Sequence, residues 1–145
     1  MKVRAGCVAK TARGQVKMTI NIPFPPATGN HSNGLNGKRF FTKKPILMYR
    51  LRIKSCLVAA RFAASDMFVN PVKVIVRIYP PDRRRRDSGN IIKVVYDALT
   101  RAGFWADDSL VKEEHIYWGE PFKGGYINLE VTDAVSVPCC AAAKM

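Results

Sequence analysis

Long apolar runs are missing from this chain of 145 residues. No stretch approaches the roughly 18 uninterrupted apolar residues of a membrane-spanning helix, and the apolar segment at 57–60 is short and flanked by basic residues. Residues 1–17 alternate charged with small side chains and lack the apolar centre of a secretory signal. We therefore expect no membrane partner and a cytoplasmic location.

Cysteine and histidine are too few and too scattered to form a site. The four cysteines lack zinc-ligand spacing, and neighbouring cysteines such as the last two rarely bridge each other; they are Cys7, Cys56, Cys139 and Cys140. His31 and His115 are far apart in sequence and have no nucleophile beside them. These patterns argue against a zinc module, a disulfide framework and a histidine-based triad.

Acidic residues are scarce as well. Asp and Glu number 11 against 24 Lys and Arg, which gives a formal net charge of +13. The apolar fraction of 48% is ordinary for a globular protein and too high for a disordered one. The length suits one domain and leaves no room for a separate cofactor-binding domain. We expect a polyanionic partner, nucleic acid, and no small-molecule cofactor.

The two ends of the sequence look peripheral. Residues 1–17 contain five basic side chains, no acid and no periodicity, whereas Met18 opens an alternating stretch. Two interpretations stay open: a flexible basic arm that is disordered, or a leader that is not translated because translation starts at Met18. We expect a domain over 18–133 and a flexible tail over 134–145.

Between these ends, hydrophobic periodicity predicts alternating strands and helices. A loop rich in Gly, Asn and Ser, at 29–37, follows the first strand, and Gly103 stands just past the second helix. This order predicts one α+β domain in which two main helices pack on a mixed β-sheet. The predicted strands cover 18–22, 71–79, 111–118 and 126–131, and the predicted helices cover 45–64 and 88–102.

Charged residues concentrate between the second predicted strand and the second helix. Four consecutive arginines occupy this loop: Arg83, Arg84, Arg85 and Arg86. Guanidinium groups at a helix start are well placed to bind phosphate. The alternative is a solvated loop whose charge keeps the sheet edge from pairing. A run of four beside acids favours contact with DNA.

Two acids flank the second helix, Asp87 before it and Asp108 after it. Helix capping and turn chemistry explain each acid when it is taken alone. Inside a basic patch, however, an acid opposes anion binding unless a divalent cation bridges it to phosphate. Lys93, on the helix, reaches either a phosphate or Asp97 at i, i+4.

The aromatic pair Phe104–Trp105, which follows the helix, also has two interpretations. One is a wedge that stacks on unpaired bases of a nucleic acid. The other is packing of at least one ring in the core beneath the helix. We expect the core interpretation, in which at least one of the two rings is buried.

The stretches Pro-Pro-Asp-Arg-Arg-Arg-Arg-Asp-Ser-Gly-Asn and Asp-Ala-Leu-Thr-Arg-Ala-Gly-Phe-Trp-Ala-Asp-Asp resemble the RusA family of Holliday junction resolvases. The similarity extends from Ile22-Pro23-Phe24-Pro25-Pro26 to about Thr132. It implies a small homodimer that binds four-way junction DNA and nicks two strands symmetrically with Mg²⁺, for which Mn²⁺ substitutes. The implied setting is homologous recombination and DNA repair, commonly in phages and prophages.

The family pattern at this helix is Asp-x-Asp-Asn, a later lysine, and a further aspartate after Phe-Trp. The resemblance thus implies catalytic roles for Asp87, Asp108 and Lys93, and metal binding by Asp87 and Asp108. It implies DNA binding by Arg83, Arg84, Arg85, Arg86 and Lys93. The second family aspartate falls on Gly89, which has no side chain to bind a metal. We expect junction binding with weak cleavage, and a non-cleaving junction-binding protein is the alternative.

Overall fold

The computed structural model describes residues 7–10, 16–26, 33–37 and 39–134. Single turns of 3₁₀ helix at Ala64–Asp66 and Asp108–Leu110 join the larger elements. Of the helices within these residues, none is long and apolar enough to cross a membrane. The strands and helices are β1 (Cys7–Lys10), β2 (Val16–Pro23), β3 (Asn33–Asn36), β4 (Arg39–Thr42), α1 (Lys44–Ala59), β5 (Val72–Tyr79), α2 (Ser88–Arg101), β6 (Val111–Trp118) and β7 (Tyr126–Asp133).

Five strands form one mixed sheet in the order β1-β2-β7-β5-β6. The β5–β6 pair is parallel and the other neighbours are antiparallel. Parallel neighbours need a crossover connection, and α2 supplies it between β5 and β6. Strands β3 and β4 form a separate hairpin. The predicted α+β domain with two main helices is thereby confirmed.

The core lies on one face of this sheet. Alternate residues of β5 are buried because successive side chains of a strand point to opposite faces: Val72, Val74, Val76 and Ile78. The same alternation buries Ile20 and Ile22 of β2. The apolar stripe of α2, which includes Ile91, Val95 and Leu99, packs in the same core. The sequence periodicity predicted these buried faces correctly.

Both helices end in the same hydrogen-bonded turn, but only one end was predicted. After α2, Gly103 takes a positive φ of 81°, and the Phe104 N–H donates to the Leu99 carbonyl at 3.0 Å. After α1, Arg61 takes a positive φ of 58°, and the Phe62 N–H donates to the Leu57 carbonyl at 2.9 Å. Helix α1 therefore ends at Ala59, and its predicted extension to residue 64 is wrong.

The structure adds two pairings to the predicted elements. Within the predicted 29–37 loop, residues 33–36 form β3, which pairs with β4. Within the predicted leader, residues 7–10 form β1 along the edge of β2. The predicted tail lies outside the described residues except for Ala134, whose N–H donates to the Pro71 carbonyl at 2.8 Å.

Candidate nucleic-acid and metal-binding site

Asp87 caps the start of α2. Its backbone is extended, and its carboxylate accepts hydrogen bonds from the Gly89 N–H at 2.8 Å and from Asn90 Nδ2 at 3.2 Å. The bond from Gly89 satisfies a backbone donor that the first helical turn leaves without an intrahelical partner, and the bond from Asn90 is a side-chain contact that holds the carboxylate in place. The carboxylate is nevertheless exposed, and so it also faces solvent beside the arginine loop.

Gly89 lies against the Asp87 carboxylate. A Cβ atom added to Gly89 would lie 3.3 Å from Asp87 Oδ1, which is tighter than most real Cβ contacts. A side chain at position 89 would thus begin next to that oxygen and displace it by a few tenths of an ångström. An aspartate at this position would add a second carboxylate beside Asp87.

The four arginines before α2 have different environments. Arg86 is turned inward: its Nη1 donates to Asp82 Oδ1 at 2.7 Å, and its guanidinium lies 5.3 Å from the Phe24 ring centroid. Arg84 is exposed and lies near Asp82. Arg83 and Arg85 are exposed and form no ion pair within the described part of the chain.

Asp82 fixes the conformation of this loop. Its carboxylate accepts from the Arg86 guanidinium and from the backbone N–H of Arg84 at 2.9 Å. These hydrogen bonds, the one from Arg86 first, lower the pKa of Asp82 to about 2. Asp82 therefore stays ionised at neutral pH and holds Arg86 in place, whereas Arg83 and Arg85 stay open to a ligand.

A pair of carboxyl groups follows the other end of α2. The hydrogen bond between Asp107 and Asp108 raises the pKa of Asp108, and partial burial and the charges of Asp107 and Asp97 raise it further. The same hydrogen bond, with one from Ser109, lowers the pKa of Asp107. Two carboxylates this close repel each other, and a proton or a cation between them relieves the repulsion.

Asp87 and Asp108 lie at opposite ends of α2. The helix has 14 residues, and at about 1.5 Å per residue it spans about 21 Å. In the parallel register, Val111 of β6 lies beside Val72, so Asp108 is near the start of β5 and Asp87 follows its end. One chain therefore does not bring the two predicted metal ligands together. No group of three or more His, Cys, Asp or Glu side chains able to hold a metal exists among the described residues.

Lys93 is exposed on the first half of α2 and is not paired with Asp97. Asp97 instead binds Arg50 at 2.6 Å and Arg101 at 3.3 Å. Within the residues that the structure describes, Lys93 forms no ion pair. Its ammonium group is thus available to a ligand on the same helix as Asp87.

Sequence reasoning missed the contacts that join α2 to its neighbours. Arg50 of α1 reaches Asp97 across 47 positions of sequence, and the Tyr96 hydroxyl donates to the Glu114 carboxylate of β6. Neither pair has a local spacing signal, because each partner comes from a different element. The two contacts hold the second half of α2 against α1 and β6.

Both rings of the Phe104–Trp105 pair are in the core. Their exposed fractions are 0% and 1%, and Trp105 Nε1 donates to Thr100 Oγ1 at 2.7 Å. The Phe104 ring also packs against Phe62 and Phe68, with centroids 5.2 Å apart in each case. The core interpretation is confirmed, and the wedge interpretation is wrong.

Comparison with known proteins places these features in one family. The family model described as Endodeoxyribonuclease RusA matches residues 23–132. Crossover junction endodeoxyribonucleases RusA of Shigella sonnei and Escherichia coli K12 are each 31% identical over 115 residues, covering 79% of this chain and 93% of the relative. The enzyme of Enterobacteria phage 82 is 32% identical over 118 residues, covering 79% and 92%. The chain belongs to the RusA family of endodeoxyribonucleases.

Proposed function

We propose that this chain is a RusA-type Holliday junction resolvase, an endodeoxyribonuclease that binds four-way junction DNA as a homodimer and acts in recombination and repair. The observation that carries the proposal is the start of α2, where the loop before Asp87 carries two exposed arginines that form no ion pair with the described residues, in a chain of this family. Its place of action is the cytoplasm, and the phage relative supports a prophage origin.

The DNA contacts follow from the exposed cations around Asp87. Arg83 and Arg85 offer planar, multiply donating groups that match phosphate oxygens, and Lys93 adds a point charge along α2. Arg84 keeps most of its side chain exposed, at 86%, although it lies near Asp82. Arg86 acts differently, because its Nη1 is already bound within the protein.

RusA family nucleases are metal-dependent, and we propose Mg²⁺, with Mn²⁺ as a substitute, for this one. The carboxylates of a single chain do not fit such an ion, because Asp87 precedes α2 and Asp108 follows it, and the helix itself spans about 21 Å. Two chains remove this obstacle if Asp87 of one protomer meets the partner's Asp108 in a symmetric dimer. The homodimer is then a requirement of the metal site as well as of symmetric nicking.

We further propose that cleavage by this chain is weak because Gly89 leaves the site one carboxylate short. Mg²⁺ keeps several water ligands, so two aspartates are able to hold it weakly. A nucleophile displaced by about 1 Å loses on the order of a hundredfold in rate. The specific alternative, a junction-binding protein that does not cut, rests on the same glycine.

A nicking assay on a mobile four-way junction in Mg²⁺ tests this proposal. We expect little cleavage by the natural chain and on the order of a hundredfold more by Gly89→Asp, because the new carboxylate starts beside Asp87 Oδ1. Gly89→Asn is the matched control, since it has the same shape without the charge, and it should stay weak. Robust cleavage by the natural chain would show that no carboxylate is missing.

Mixing two inactive variants tests the shared site. In the Gly89→Asp background, Asp87→Asn and Asp108→Asn should each be silent alone. Mixed dimers hold one complete site, formed by the intact Asp87 of one chain and the intact Asp108 of the other, and should nick one strand. Silence of the mixture, in the presence of demonstrated mixed dimers, would contradict a site shared between chains.

A further inference from the structure

A cavity of about 320 Å³ opens beside the arginine loop. Phe24, Pro25 and Pro26 form one wall after β2, and Pro81 forms another after β5. Gly124, in the turn between β6 and β7, closes a third side. The cavity thus lies at the end of the sheet where α2 begins, which is also the end that carries Asp87.

The lining combines flat apolar surfaces with one guanidinium group. Arg86 and Ile91 complete the wall on the side of α2, and no carboxylate lines the cavity among the described residues. The guanidinium lies over the Phe24 ring at 5.3 Å, while Asp82 and two backbone carbonyls hold its Nη1. With its side chain only 17% exposed, Arg86 is fixed before any ligand arrives.

We propose that this cavity takes a single unstacked nucleobase of the DNA substrate. A nucleobase is flat, stacks on aromatic and prolyl rings, and presents acceptor atoms at its edge to a guanidinium. The volume is at the lower end of the roughly 300–1,000 Å³ of small-ligand pockets, so it suits one base and excludes a base pair.

The loop that carries Arg86 also supplies cations for the rest of the nucleotide. Arg83 and Arg85, in the same loop as Arg86, leave two exposed guanidinium groups for the flanking phosphates. Unpaired or distorted positions release a base at the lowest cost, and a branch point offers such positions. The inference rests on the proposed function, since it assumes that junction DNA lies across the start of α2.

Binding measurements with abasic junctions test the inference. A series of four-way junctions each carries one abasic site, placed at successive positions away from the branch point. The Kd of the full-length protein for each junction is measured without divalent metal. We expect one position to weaken binding by about tenfold, the scale of one lost base–aromatic stack. Pro26→Trp fills the cavity, so it should bind the intact junction about tenfold more weakly and be insensitive to the same abasic site.

Ser55→Trp is the matched control, because Ser55 is exposed on α1 and lines neither the cavity nor the proposed metal site. It should keep both the affinity and the abasic sensitivity of the natural chain. If Pro26→Trp does not fold, Arg86→Lys replaces it; that variant keeps the charge, loses the planar fork, and should lose the abasic sensitivity.

The outcomes separate the two proposals. The pocket inference would be overturned if the abasic site weakened the binding of Pro26→Trp as much as it weakens the binding of the natural chain, so that the two losses in affinity add. It would also be overturned if the natural chain preferred junction over duplex but no abasic position weakened its binding. A protein that shows no junction preference at all would instead overturn the proposed function. If a second copy of the protein fills the cavity, Pro26→Trp should change the sedimentation of the protein and leave its sensitivity to the abasic site unaltered. That result too would overturn the inference.

Discussion

The two ends of α2 differ in the charge that surrounds them. At the start, four arginines accompany Asp82 and Asp87, and two of the arginines have no acidic partner in the described chain. At the other end, interaction between the neighbouring carboxyl groups raises the pKa of Asp108 and lowers that of Asp107, and the charge of Asp97 also raises the pKa of Asp108. The net charge of +13 therefore hides an uneven distribution, in which the basic groups lie at the start of α2 and the acidic groups lie toward its other end.

This distribution explains why a single chain looks incomplete as a nuclease. Cleavage of a phosphodiester needs cations for the phosphate and carboxylates for the metal at the same place. Each end of α2 supplies mainly one of the two sets. Two copies related by a two-fold axis are able to bring unlike ends together twice, which matches a substrate that is cut at two symmetric positions.

The largest expected effect is on DNA affinity at the basic end. Replacing Arg83 and Arg85 together by alanine should weaken junction binding about tenfold or more at low salt. It should also reduce the slope of log Kd against log salt by about 2, because each lost phosphate contact removes about one unit. Asp107→Asn, at the acidic end, is the control and should not weaken binding. If both variants lost the same junction affinity, the two ends of α2 would not differ in DNA binding.

A smaller effect is expected on stability at the acidic end. Arg50→Met removes the charge that binds Asp97 at 2.6 Å and keeps most of the side chain's packing. Because Asp97 keeps Arg101 and is 46% exposed, we expect a loss of about 1 kcal/mol in the free energy of unfolding, measured in urea. Arg52→Met, exposed on the same helix, should change it by less than about 0.5 kcal/mol. Indistinguishable urea curves for the two variants would show that the Arg50–Asp97 pair does not hold α1 to α2.

The smallest effect is a local titration at the basic end. The pKa of Asp82 is lowered to about 2 in the folded chain, from about 3.9 in an unfolded one, so its ion pair is complete above pH 4 and is lost as pH falls through 2. Carboxyl NMR of Asp82 should show this midpoint. In Arg86→Ala the midpoint should rise toward 3.9, whereas an unchanged midpoint would mean that Arg86 does not organise the loop.

The elements that follow local rules were predictable from the sequence. Alternation marked β5, a 3.6-residue stripe and an Asp cap marked α2, and Gly103 marked its end. The end of α1 was missed because the residue that takes the left-handed conformation there is Arg61. Glycine usually occupies this position after a helix, and without a glycine the sequence gives no sign of the helix end. The β3–β4 hairpin was missed because turn-forming residues dominate its first strand.

The candidate site was predictable residue by residue but not in space. Asp87 and Asp108 flank the same helix in the sequence, and both were predicted to bind the same metal ion. Most of the segment between them is helix α2, which carries the chain away from Asp87 at about 1.5 Å per residue. The cavity beside Arg86 was not predictable either, because its walls come from four separate stretches of chain.

The position of β7 has a consequence for the order in which the fold assembles. This strand lies between β2 and β5, yet it follows both in sequence, and Asn128 of β7 donates to Asn21 of β2 across 107 positions. During synthesis, β2 and β5 therefore each keep one edge without its partner strand until β7 has been made. Pairings of such long range fold slowly and leave intermediates prone to aggregation. Nascent chains released before β7 emerges would lack the strand that joins the two halves of the sheet.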